Sequence, residues 1–273
     1  MHRRRPTSSS RSRKSLNNNN LASTVIGIIP VRYASSRLLG KPLLELCGKP
    51  IIQHVYERAK QAKLLNDVIV ATDDDRIAAV VERIRGRAVM TPTTIRSGSD
   101  RVAYTAKNLK VDIVANIQGD EPLINPEVID ETVRPLLEDR KIDVCTPVKK
   151  ITSTEELANP NIVKVVFDSD GFALYFSRSP IPHVSSKTVP SSEDGSSVKH
   201  GHYKHIGLYV YRKDFLLTFT QWDPSPLERA EQLEQLRILE HGHRIKCVVT
   251  EHDSFSVDTL EDFEQLKRMM VKN

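Results

Sequence analysis

The chain has 273 residues, 39% of them hydrophobic and 27% charged, enough apolar material for one large domain and too much for wholesale disorder. No apolar run approaches the roughly 20 residues of a membrane helix, so a spanning protein is excluded. The formal charge of +5 is located in the leader: residues 1–23 carry six of the 40 basic side chains and no acid, leaving 34 basic against 35 acidic in the remainder. That near-neutral remainder lacks the clustered positive charge of a nucleic-acid-binding surface. Cys47, Cys145 and Cys247 are too far apart for a C-x-x-C site and odd in number, which argues against a disulfide scaffold or zinc ribbon and for a reducing compartment, with the three thiols serving as small buried apolar groups.

Residues 1–23 are rich in Arg, Ser and Asn and have no periodic apolar residues, so they read as a disordered basic tail. An Arg- and Ser-rich leader without acids also fits an organellar transit peptide, whereas the missing apolar stretch excludes a secretory signal. From residue 25 a strand–helix alternation begins. A continuous apolar run predicts a strand buried on both faces at 25–30, a second buried strand follows at 67–71, and further strands are predicted at 87–90, 112–117 and 144–148. Helical spacing predicts helices at 51–62, 74–84, 100–109 and 126–137, the last with Pro126 in its first turn. This rhythm predicts an α/β fold with a mostly parallel, doubly wound sheet.

The rhythm then breaks into an inserted hairpin region, about 160–212. Runs at 162–167 and 172–176 flank the Asp168-Ser169-Asp170-Gly171 turn and predict a β-hairpin. A Ser-rich stretch between 182 and 203 reads as a loop, and 206–211 as a strand. Leu227, Ala230, Leu233, Leu236 and Leu239 predict one continuous helix over 226–240. A strand at 245–250 and a helix at 260–270 close the domain, which spans 24–273.

Three segments carry chemistry. The loop after the first strand holds Arg32, Ser35, Ser36, Arg37, Gly40 and Lys41 with no acid before Glu45. In an open α/β sheet that loop lies at the ligand-binding edge, and its point charges, forked donors and approachable backbone suit a polyphosphate. Neither a Walker-type nor a dinucleotide glycine motif is present, which lowers the case for a P-loop ATPase or a nicotinamide dehydrogenase. The fourth strand runs into Gln118-Gly119-Asp120, where a carboxylate at a strand end suits a divalent metal facing phosphates and equally suits an ordinary turn. Asp258, before the last helix, is either a helix cap or a second metal ligand.

Seven segments occur in a single order: G-I-I-P-V-R-Y-A-S-S-R-L-L-G-K-P, S-G-S-D-R, Q-G-D-E-P, A-L-Y-F-S-R, H-I-G-L-Y-V-Y-R, L-E-Q-L-R and S-V-D-T-L-E-D. Together, across about residues 24–270, they resemble the 3-deoxy-manno-octulosonate (Kdo) cytidylyltransferases, or CMP-Kdo synthetases. Two departures are local: Leu39 precedes Gly40 where the family commonly has a proline, and Asp100 stands for the more usual glutamate. The resemblance implies a nucleotide-diphospho-sugar-transferase-like fold and the magnesium-dependent reaction of CTP with Kdo to CMP-Kdo and pyrophosphate, in lipopolysaccharide or other Kdo-polysaccharide synthesis. It implies Arg32, Ser35, Arg37 and Lys41 on the triphosphate, with Lys41, Arg37 and Asp120 catalytic. Ser97, Gly98 and Arg101 would lie at the nucleoside end, and Asp120 and Asp258 on Mg²⁺. Gln118, Arg178, His205, Tyr209 and Glu234 would hold Kdo. The hairpin resembles a dimerisation element, so a cytoplasmic homodimer is expected. The alternatives are a cytidylyltransferase for another acidic sugar, such as sialic acid or amino-Kdo, and a non-catalytic nucleotide- or nucleic-acid-binding protein using the tail.

Overall fold

The computed structural model describes residues 23–34, 38–184 and 201–271. The basic tail through residue 22, Ser35 and Arg37 of the first loop, and the Ser-rich 185–199 stretch therefore lie outside the described residues. Strand β1 (Val25–Val31) is the centre of a parallel run, paired with β4 (Asp67–Thr72) on one edge and β6 (Ile113–Asn116) on the other. Beyond β4 lies β5 (Arg87–Met90), also parallel.

The opposite half of the sheet is mixed. β11 (Tyr209–Arg212) runs antiparallel to both β6 and β7 (Val144–Lys150). β7 has β12 (Lys246–Val249) parallel on its other edge, and β10 (Tyr203–His205) joins its far end. The expected hairpin forms from β8 (Lys164–Phe167) and β9 (Ala173–Ser177), and β9 closes the edge.

Alternate residues of the central strands feed two cores, as the period-2 geometry of a strand requires. Val25, Ile29, Val68 and Val70 enter one. That core also takes helices α1 (Ile51–Ala59), α2 (Asp75–Arg83), α4 (Pro126–Glu138) and the closing helix α9 (Leu260–Val271). Ile26, Ile28, Ile69 and Ala71 enter the other, with α3 (Gly98–Ala106) and α6 (Lys213–Phe219). Burial on both faces explains why these strands read as unbroken apolar runs. Side-chain caps fix the helix starts: Asp74 accepts from the Arg76 amide, Ser97 from that of Asp100 and Asn125 from that of Glu127.

The single helix expected over 226–240 is two. α7 (Pro226–Glu231) stops at Gln232, whose φ of 55° lies in the left-handed region, and α8 (Gln235–Glu240) restarts after it. The reversal splits the leucine stripe: Leu233 and Leu236 are buried, whereas Leu227 is 41% exposed. A bidentate Arg237–Glu228 pair, at 2.7 and 2.5 Å, holds the two pieces together. Cys47 is also corrected. It is exposed at the tip of a small hairpin between β2 (Glu45–Leu46) and β3 (Lys49–Pro50), while Cys145 and Cys247 are buried as expected. The short helix α5 (Thr154–Ala158), α6, β10 and this small hairpin have no counterpart in the sequence expectation.

Candidate active site

At the carboxyl ends of β1 and β6 lies an open cavity of about 260 Å³. Each wall is placed by an identifiable local device. Lys41 opens a short 3-10 turn (Lys41–Leu43) whose cap, Gly40, has φ 70°. The Gly40 amide donates to the Tyr33 carbonyl at 3.1 Å, and a Cβ at Gly40 would meet the Tyr33 ring at the same distance, so only glycine closes this loop. Asp120 follows β6 through Gly119, whose backbone packs against the end of β1. Asp258 comes from the segment before α9, which is tied to the same turn by the Val257 amide donating to the Asp120 carbonyl at 2.9 Å. Ser97 and Gly98 form the start of α3.

These devices bring carboxylates 79 and 217 positions away in sequence onto the Lys41 ammonium. The Lys41 Nζ donates to Asp120 Oδ2 at 2.8 Å and to Asp258 Oδ1 at 3.4 Å. Lys41 is 8% exposed, whereas the two carboxylates keep about a third of their side-chain surface open toward the cavity. Arg32, Arg96, Ser97, Gly98, Arg101, Gln118 and Gly119 complete the lining with Pro30, Val31 and Pro42. Among the expected nucleotide and metal residues, Arg32, Lys41, Ser97, Gly98, Arg101, Asp120 and Asp258 thus share one cavity. Asp258 holds a cation here; the helix after it is capped by Thr259, whose hydroxyl accepts from the Asp262 amide at 3.1 Å, while the Asp262 carboxylate accepts from the amides of Asp258 and Thr259 at 3.0 and 2.8 Å.

Arg101 lines the cavity but is 2% exposed, and its guanidinium donates to Asp73 Oδ2 at 2.8 Å, to the Ile95 carbonyl at 3.3 Å and to the Thr91 hydroxyl. Arg96, by contrast, is an exposed cation on the rim that sequence reasoning missed. Its signal was available only as a basic residue beside the S-G-S-D-R segment. Glu121 was also missed. It is 4% exposed, and burial, reinforced by the neighbouring Asp120 charge, pushes its carboxyl up to about 8.

Of the expected sugar-side residues, Gln118 lines the cavity, and His205, Tyr209 and Glu234 lie outside its lining. Tyr209 pairs with Asn116 across β11 and β6, and its ring lies 5.1 Å from that of His205. His205 is half-buried, and desolvation drives its imidazole down to about 3, so it is neutral. The Thr146 hydroxyl has one proton and gives it to the Leu208 carbonyl at 2.7 Å. It therefore accepts from His205 Nε2–H at 3.0 Å, which leaves Nδ1 as a bare acceptor. Glu234 sits at the break between α7 and α8, where it accepts from the Ser99 hydroxyl, one residue from the cavity wall. Burial raises its carboxyl above the usual range. Arg178 is elsewhere: its guanidinium donates to the carbonyls of Glu231, Pro160 and Gln232 at 2.8, 3.0 and 3.4 Å. The structure does not bring it to the cavity.

Comparison with known proteins agrees with this geometry. Residues 26–245 match the family model described as cytidylyltransferase. A 3-deoxy-manno-octulosonate cytidylyltransferase of Geotalea uraniireducens is 50% identical over 249 residues, covering 91% of this chain and 99% of that one. The protein of the same description from Geotalea daltonii is 50% identical over 243 residues, covering 89% and 96%. A solved structure of CMP:2-keto-3-deoxy-manno-octonic acid synthetase complexed with CTP superposes with a TM-score of 0.83 at 40% identity, covering 92% of this chain and 99% of that one. With a cationic loop, a two-aspartate floor and near-full-length identity of this order, the chain belongs to the cytidylyltransferases, in the family of the 3-deoxy-manno-octulosonate enzymes.

Proposed function

We infer that the chain activates Kdo with CTP, forming CMP-Kdo and pyrophosphate by in-line attack of the sugar's anomeric hydroxyl on the α-phosphorus. The observation that carries this is the convergence of Asp120 and Asp258 on Lys41 at the sheet's carboxyl edge. Arg32 and Lys41 bind the triphosphate, and Arg37, outside the described residues, is assigned with them by its place in the loop. Lys41 stabilises charge building on the α-phosphoryl group and the departing pyrophosphate. Catalysis of this kind is positioning and electrostatics, with little covalent work for the protein.

The donor set fits a magnesium ion: two hard carboxylates already share a cation and face the cavity, and their remaining coordination suits phosphate oxygens and water. When bound, the ion supplies charge neutralisation and lowers the proton affinity of the attacking hydroxyl. Asp120 and Asp258 would hold it.

Kdo is assigned to Gln118, His205, Tyr209 and Glu234. His205 Nδ1 would accept from a sugar hydroxyl. Arg178 shapes the α7–α8 break that presents Glu234. We further propose a homodimer through the β8–β9 hairpin, whose edge strand carries Leu174 at 63% exposure; a dimer mass by light scattering at micromolar concentration is expected. The three free thiols support a cytoplasmic setting, with an organelle as the alternative if the leader is a targeting signal. No helix among the described residues is long and apolar enough to cross a membrane.

Pyrophosphate release from CTP and Mg²⁺ with a panel of sugar acids tests the assignment. Kdo is expected to support turnover at least tenfold above sialic acid and amino-Kdo. Equal or greater turnover with either of those would move the sugar assignment.

A further inference from the structure

Arg101 sits where four pieces of chain meet. It belongs to the first turn of α3, and its guanidinium reaches Asp73 immediately after β4, Thr91 immediately after β5, and the Ile95 carbonyl within the connection between β5 and α3. The Thr91 hydroxyl accepts from Arg101 and donates to the Thr72 carbonyl at 3.0 Å, so both of its functions are used. The 92–97 connection has little else to hold it ahead of Ser97, which caps α3 through the Asp100 amide. Its internal backbone bonding is the Ile95 amide to the Pro92 carbonyl at 3.3 Å, and residues 92–94 and 96 are exposed. Yet this connection delivers Arg96 and Ser97 to the cavity wall.

The charge on Arg101 is already answered. Its side chain is 3% exposed and that of Asp73 13%, so the pair is desolvated together, and its net charge toward a polyphosphate is close to zero. A forked, pre-organised guanidinium is suited to bracing several acceptors at once, a task that the single point charge of lysine cannot reproduce.

We propose that Arg101 is a positioning residue. It clamps the 92–97 connection to the ends of β4 and β5, so that Arg96 and Ser97 stand over the nucleotide cavity. This deepens the cytidylyltransferase reading of that cavity and rests on it for the identity of the nucleotide, but the clamp itself is testable without nucleotide.

The test uses the full chain with Thr91→Val and Arg101→Lys. Thr91 does not line the cavity, and valine keeps its shape while removing the hydroxyl that Arg101 grips. Trypsin cleaves after exposed arginine, and mass spectrometry identifies the fragment beginning at Ser97. Without nucleotide, both variants are expected to be cut after Arg96 at least fivefold faster than the unmodified chain. In pyrophosphate-release kinetics the KM for CTP should rise at least fivefold in both, with the KM for Kdo unchanged and kcat within about twofold. If Thr91→Val matches the unmodified chain in cleavage and in KM for CTP, the proposal is overturned. A raised KM for CTP in Arg101→Lys alone then makes Arg101 a direct nucleotide ligand. An unmodified chain without pyrophosphate release, together with accelerated cleavage of Thr91→Val, would sink the enzyme reading and leave the clamp standing.

Discussion

Gly119→Ala tests whether the Asp120 turn is placed by close backbone packing. The φ of Gly119 is not positive, so alanine meets no backbone strain there; the obstacle is space. A Cβ would stand 2.6 Å from Val31 Cγ2, 3.2 Å from the Pro30 carbonyl oxygen and 3.5 Å from Ile29 Cγ2. Restoring ordinary contact at 3.4 Å needs a shift of about 0.8 Å. The end of β1 is buried and paired with β4, so the turn moves rather than the strand. Overpacking of this kind costs about 1–3 kcal/mol, a fall in Tm of roughly 2–12 °C for a domain of this size. The displaced residue is the neighbour of Asp120, whose carboxylate is set to 2.8 Å from Lys41. A misplacement near 1 Å can cost about 10²-fold in turnover, so kcat should fall by roughly 30- to 100-fold. Pyrophosphate release and thermal unfolding measure the two effects on one sample. Gly98→Ala is the stability control, since its Cβ would lie 3.5 Å from Pro30 Cγ, and its Tm should stay within about 2 °C of the parent. Wild-type kcat and Tm in Gly119→Ala would refute the packing argument.

Asp120→Asn should reduce kcat by at least about 10²-fold while Tm moves by less than about 3 °C, because the carboxylate is partly open to the cavity; full activity at low Mg²⁺ would remove Asp120 from the metal site. Lys41→Ala should lower kcat by about 10²- to 10³-fold with little change in the KM for Kdo, since its charge partner develops during the reaction; a change confined to that KM would reassign the residue. His205 binds a proton only near pH 3 when folded but near 6.5 when unfolded, so its contribution is fully present above 6.5 and is lost as the pH falls toward 3. Stability should therefore decline on acidification, by up to about 1.4 kcal/mol per pH unit from this group. Denaturant unfolding from pH 7 to 5 should show a smaller decline in His205→Phe, and parallel curves would place the imidazole in water.

The central strands were legible because burial on both faces leaves an unbroken apolar signature; β5, an edge strand with Arg87 and Met90 exposed, also falls on 87–90 as the sequence suggests. Helix starts were legible at Asp74 and at Pro126 in a first turn, whereas α3 begins two residues before the expected 100. The single helix over 226–240 was a misreading with a physical cause. Leucine periodicity continues through Gln232 as though the backbone did, but nothing in a glutamine announces a left-handed φ. The small elements α5, α6 and β10 escaped because runs of three to seven residues carry too little periodicity to separate strand from helix.

The site divides along the same line, between residues whose role follows from residue type and place and residues whose role depends on what they touch. Lys41 and Asp120 belong to the first kind: a cation after the first strand and an acid after the fourth must both lie at the carboxyl edge of an open sheet. Arg101 belongs to the second. Its sequence context is that of a nucleotide ligand, and only the contacts with Asp73, Thr91 and Ile95 show its charge already spent within the protein. Arg178 repeats the pattern, an arginine in a matching motif whose guanidinium serves main-chain carbonyls at the α7–α8 break. Glu234 runs the other way: an acid within the single expected helix proves to be a half-buried carboxyl at a helix break, accepting from Ser99 and raised by desolvation. For Arg101 and Glu234 the deciding quantity is desolvation, which no local pattern encodes, because it depends on segments 28 to 135 positions distant closing over the same few atoms.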